Sequence, residues 1–129
     1  MTASVAVAMR AELHSRLWTY ARSRRVSCTA VVDVAVDRML GQQLTALQLR
    51  RRHDALIGRP RSERRNVQLA RDLHKRALRW AEDRDVTLVD VVDCAVLEYL
   101  DSHDEHRRRL AAPPTSAAAA PLVAAGGGL

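Results

Sequence analysis

The sequence predicts a mainly helical protein with one short β-ribbon, in the order β-α-α-linker-β-α-α. Three observations carry that prediction. The first is an internal repeat: a shift of 60 residues lays 5–40 on 65–100 without a gap. Val7 falls on Val67, Leu13-His14 on Leu73-His74, Ala21 on Ala81 and Val26 on Val86. Val31-Val32-Asp33 falls on Val91-Val92-Asp93, Ala35-Val36 on Ala95-Val96 and Leu40 on Leu100. The second observation is a period-two pattern opening each copy. The third is the pair of helix-period apolar patterns that follows it. A unit this short cannot enclose its own core, so each copy must pack on the other or on a second chain. An intramolecular pseudo-dimer is one such arrangement.

The strands come first. Val5, Val7 and Met9 alternate with Ser4, Ala6 and Ala8, and Val67 and Leu69 alternate with Asn66, Gln68 and Ala70. That period gives a strand with one buried face. Leu13, Leu17, Tyr20 and Ala21 then follow helical spacing, matched by Leu73, Ala77, Trp80 and Ala81. Glu12 and Asp72 suit the positive ends of these helices. The helices should stop near Arg24-Arg25 and Arg84-Asp85. Ser27 and Thr87 are N-caps for a second helix, and Thr87 with Asp90 makes a capping box. That helix is apolar on more than one face, through Val31, Val32, Ala35, Val36 and Met39 and their counterparts.

After Leu40 the spacing of Leu44, Leu47 and Leu49 predicts that the first copy's second helix continues, bent at Gly41. The predicted organisation is therefore a first unit over 1–57, with an extended second helix, and a linker over 58–64. A second unit follows over 65–103, then a basic cluster and a flexible Ala/Pro/Gly tail over 104–129.

The core must be built from Val, Leu and Ala, because there is no Phe and aromatics total 3%. Net charge is +6, and Lys75 is the only Lys among the basic residues. Arginine forks to phosphate and to guanine edges better than lysine does, so the charge favours nucleic acid as a partner. The excess of Arg over acid lies mainly in the first half of the chain. Cys28 and Cys94 align with Leu88 and Val34, so both are read as small apolar residues rather than a disulfide. No stretch resembles a signal peptide or a membrane span, and a cytoplasmic, nucleoid-associated protein is expected. The repeated His14 and His74 lack neighbours at ligand spacing, so no metal is expected. Asp33 and Asp93 recur inside an apolar helix and read as an exposed stripe or as partners for Arg. No nucleophilic triad, Gly-rich phosphate loop or paired-carboxylate motif is present, so neither catalysis nor a cofactor is expected.

Both copies carry an apolar skeleton that resembles the ribbon-helix-helix family of DNA-binding proteins. It comprises Val5-x-Val7-x-Met9, Leu13, Leu17, Ala21, Val26-Ser27 and Val31-Val32-x-x-Ala35-Val36. The second copy supplies Val67-x-Leu69, Leu73, Ala81, Val86-Thr87 and Val91-Val92-x-x-Ala95-Val96. The resemblance implies that two strands pair into a ribbon that enters the major groove. By position it makes Ser4, Ala6, Ala8, Arg64, Asn66 and Gln68 the base-reading residues. It also implies that the second helices aim backbone N–H groups at phosphate. Those grips are Ser27 and Cys28 with Arg22, Arg24 and Arg25, and Thr87 with Leu88. Asp83, Asp85 and Asp90 surround the second grip and would repel phosphate. Many family members carry Gly where Arg25 and Asp85 stand, to allow a left-handed turn.

The function expected from the resemblance is a sequence-specific transcriptional regulator, a repressor, with double-stranded DNA as partner. Homodimers or higher oligomers would form on longer DNA sites. Two alternatives stay open. One is an antitoxin or other protein-interaction module with a toxin-like partner. The other is an accessory DNA-binding protein of plasmid transfer or partition.

Overall fold

Alternation of apolar and small or polar residues produces two strands, β1 (Ser4–Arg10) and β2 (Arg64–Ala70). They pair antiparallel with Val7 opposite Val67 at the centre of the register. The computed structural model describes residues 3–59 and 63–111. Around the ribbon stand five helices, α1 (Ala11–Arg24), α2 (Cys28–Leu40), α3 (Ala46–Arg52), α4 (Arg71–Asp83) and α5 (Leu88–Ala111). The fold is thus mainly helical with one small ribbon. Val7, Met9, Val67 and Leu69 are buried on one face of that ribbon. They meet Leu13, Leu17 and Ala21 of α1 and Ala77, Trp80 and Ala81 of α4. Valines and alanines of α2 and α5 complete the core, with Val32, Val36, Val92 and Val96 wholly buried. Cys94 is buried, Cys28 is half-buried, and both are free thiols.

The α1–α2 and α4–α5 turns share one backbone device. Arg25 has φ 57° and Asp85 has φ 55°, both left-handed. Ser27 then caps α2 by accepting from the Ala30 N–H at 3.0 Å. Thr87 accepts from the Asp90 N–H at 3.1 Å, and the Thr87 N–H donates to the Asp90 carboxylate at 3.4 Å. A left-handed conformation is uncomfortable for a side chain as long as arginine's. Arg25→Gly should therefore raise stability by about 0.5–1 kcal/mol, read by urea unfolding. A loss would show that the arginine side chain makes contacts that outweigh the strain.

The chain departs from the sequence expectation after Leu40. α2 stops there, and α3 is a separate helix rather than its continuation. Two local causes act together. Gly41 weakens propagation. Thr45 and Gln48 then form a capping box that starts a new helix in a new direction. That direction buries Leu44, Leu49 and Ile57 against the core, which a straight helix would not do. The connection is fastened to α5 by polar contacts. His53 is buried and bonded to Glu98, which also accepts from Gln42 at 3.1 Å and pairs with Arg52 at 3.4 Å.

Burial opposes ionisation of Glu98, but the hydrogen bonds from His53 and Gln42 and the charges of His53 and Arg52 outweigh it. Its carboxyl is held below the ordinary value of 4.5. A carboxylate depressed in the folded state contributes stability above its unfolded pKa and loses it as pH falls through the folded value. Unfolding free energy should therefore decline as pH falls below about 4.5, and Glu98→Gln should flatten that decline. An unaltered profile in the variant would assign the acid sensitivity elsewhere.

The other departure is at the C-terminal end. α5 runs on past residue 103, the expected end of the second unit, and carries the basic cluster 107–109 as helix. Arg16 on α1 bridges Asp101 and Asp104, each at 3.0 Å. Tyr20, Tyr99 and His103 pack their rings together, with the two tyrosine rings edge-to-face at 5.5 Å. These contacts hold the extra turns of α5 to α1. Residues 60–62 of the expected linker and 112–129 of the expected tail lie outside the described residues.

Candidate nucleic-acid interface

Burying one face of the ribbon turns the other outward. Ser4, Ala6, Arg64, Asn66 and Gln68 are exposed there, and Ala8 is half-buried. The register sets Gln68 opposite Ala6 and Asn66 opposite Ala8. Each carboxamide therefore stands beside a methyl group and has room to reach outward. Antiparallel pairing gathers these six residues onto one surface. The surface is chemically lopsided. Donors and acceptors come almost wholly from β2, while β1 offers methyl groups. The Ser4 hydroxyl donates to Oε1 of Gln68 at 2.9 Å. While that bond stands, the amide nitrogen is the end of Gln68 that Ser4 does not engage. Asn66 keeps both ends of its amide available among the described residues.

Two carboxylates, one buried and one half-buried, fix the ends of the ribbon. The Asp93 side chain, wholly buried in α5, accepts the Arg10 backbone N–H at 2.9 Å. It also faces the Arg10 guanidinium, with Nε 3.4 Å from Oδ2. Asp33, in α2, accepts the Ala70 backbone N–H at 2.9 Å. Arg10 and Ala70 are the last residues of their strands. Each second helix thus holds the strand end contributed by the other copy. The exposed-stripe reading of Asp93 is corrected, and the Arg-partner reading holds for it. Arg10 also donates to the carbonyls of Leu56 and Arg59, at 2.9 and 3.3 Å, and so ties down the connecting segment.

These clamps also set the helix N-termini. Asp33 and Asp93 lie six residues beyond Ser27 and Thr87. At 1.5 Å per residue each cap is roughly 9 Å along its helix from a ribbon end. Two helix starts with free backbone N–H groups therefore flank the ribbon. Their surroundings differ. Beside Ser27, the exposed Arg22 and Arg24 lie over the rings of Trp18 and Tyr20, at 4.9 and 5.3 Å, and Arg25 occupies the left-handed position. Cys28 is half-buried at the start of α2, and Leu88 likewise starts α5. Beside Thr87 stand the exposed Asp83 and Asp85, and the buried Asp90 is spent on the cap. Arg84 is turned inward, with its guanidinium 3.8 Å from the Trp80 ring and Nε donating to the Leu44 carbonyl at 2.7 Å.

Sequence reasoning missed the strand-end role of Asp33 and Asp93 and the anchoring role of Arg10. A signal for the first was present, since both aspartates recur in register within otherwise apolar helices. Among the described residues no cluster of three potential metal ligands exists, and no helix is long and apolar enough to cross a membrane.

No family model matches the chain, and neither curated proteins nor solved structures show significant similarity to it. The class is therefore defined by architecture: a small, mostly helical, ribbon-bearing domain. At that coarse level it is compatible with the ribbon-helix-helix resemblance and with nucleic-acid binding.

Proposed function

We propose that the protein is a sequence-specific DNA-binding regulator, a repressor of ribbon-helix-helix type, and a binding protein rather than an enzyme. One chain supplies both units as a built-in pseudo-dimer. The observation that carries this reading is the outward face of the ribbon. Arg64, Asn66 and Gln68 stand together on a surface flanked by two capped helix starts. A two-stranded ribbon fits the major groove, where Asn and Gln meet adenine or other hydrogen-bonding edges and Arg meets guanine or phosphate. Ala6 and Ala8 can offer contact to thymine methyls. Phosphate contacts from arginine and from the start of α2 supply most of the affinity, and the ribbon supplies the choice of sequence.

The reading is tested by fluorescence anisotropy with the protein's own upstream DNA and a scrambled duplex, at several salt concentrations. A preference for the upstream duplex together with a steep salt dependence supports it. Equal binding to both would reduce the role to nonspecific or architectural contact. No binding at low salt would remove DNA as the partner and leave a protein-interaction module.

A further inference from the structure

We propose that Arg50, on α3, restores an anion grip at the α4–α5 turn by neutralising Asp85. The inference rests on the DNA-binding reading and adds to it a third element, the segment between the two copies.

The two turns have the same backbone but opposite chemistry. Under the repeat, Arg22 becomes Glu82, Ser23 becomes Asp83 and Arg25 becomes Asp85. The one arginine retained, Arg84, donates to the carbonyls of Leu44 and Trp80 at 2.7 and 3.1 Å. With its guanidinium also against the Trp80 ring, it is held within the protein. Left to its own residues, this turn would meet a phosphate with exposed carboxylates and no outward cation. Like charges at that range oppose binding.

The connecting segment changes this. Its Leu44 carbonyl is held by Arg84, and the Thr45 cap starts α3 beside the turn. Leu49 is buried beneath the helix and fixes its rotation. Arg50 then donates from Nη2 to the Asp85 carbonyl at 2.6 Å, with Oδ2 of Asp85 3.9 Å away. Asp85 is fully exposed, and the Arg50 side chain is 45% exposed. A guanidinium has five N–H donors, so those contacts leave others for a phosphate oxygen. The first turn carries a cation in its own left-handed residue, Arg25. The second carries an acid there and borrows its cation from α3.

The test measures duplex binding against salt for wild type, Arg50→Gln, Asp85→Asn and the double variant, with thermal unfolding of each. Asparagine tolerates the left-handed conformation at position 85, so that variant keeps its turn. Arg50→Gln should weaken binding about fivefold on every sequence and lower the salt slope by about one. Asp85→Asn should tighten binding about threefold, because the repulsion goes while Arg50 keeps its bond to the backbone carbonyl of that position. The double variant should return close to wild type. An Arg50 that only braced α3 would lower thermal stability without moving the salt slope. A lowered salt slope for Arg50→Gln is the result that role cannot give. Unchanged or weaker binding by Asp85→Asn, or an unchanged slope for Arg50→Gln, overturns the proposal. A wild-type protein that binds no duplex overturns the DNA reading itself and this inference with it.

Discussion

Asp93→Ala is expected to destabilise the fold by about 3–5 kcal/mol, a large part of what a small domain possesses. The carboxylate is wholly buried and meets both the backbone N–H and the guanidinium of Arg10. Removing it takes the buried carboxylate from a buried arginine, which keeps the exposed Glu12 carboxylate at 3.9 Å, and takes the acceptor from a strand-end N–H. Urea unfolding at neutral pH measures the effect. Asp93→Asn should lie between, since an amide oxygen still accepts from the Arg10 N–H but no longer balances the guanidinium. Asp33→Ala should cost less, about 1–2 kcal/mol, because Asp33 is half-buried and, among the described residues, holds the Ala70 N–H alone. A loss below about 1 kcal/mol for Asp93→Ala would contradict the clamp, given the usual cost of a buried group left unpaired.

Asn66→Ala combined with Gln68→Ala is expected to lower affinity for a preferred site about a hundredfold or more, at roughly 1–3 kcal/mol per base contact. Binding to scrambled DNA and its salt slope should stay as in the wild type. Both side chains are exposed and neither contributes to the core, so stability should barely change. Competition binding with preferred and scrambled duplexes reads the difference directly. An equal loss on both would mean that the ribbon contributes affinity without selecting a sequence.

Much of the fold was legible because its elements obey local rules. The period-two strands, the Leu13-Leu17-Ala21 stripe, the caps at Ser27 and Thr87 and the turns at Arg25 and Asp85 all depend on neighbours in sequence. The outward face of the ribbon followed from alternation alone. What escaped the sequence was set by contacts between distant residues. Asp93 could be placed at the end of β1 only once α5 lay across it. The break after Leu40 follows from local signals, Gly41 and the Thr45–Gln48 box, but the apolar spacing of Leu44, Leu47 and Leu49 suggested continuity. The extra length of α5 depends on Arg16 and Tyr20, which are remote in sequence from Asp104 and His103. Arg50 at the second turn was hidden for the same reason.

The central claim is that the outward face of this ribbon reads DNA. Its most direct test is selection of bound duplexes from a randomised pool by the wild-type protein and by the Asn66→Ala, Gln68→Ala variant. The wild type should enrich one short consensus. That consensus should be asymmetric, because β2 offers polar side chains and β1 methyl groups. The variant should lose the part of it that β2 reads. A pool that stays unenriched, or a consensus that survives intact in the variant, would contradict the claim.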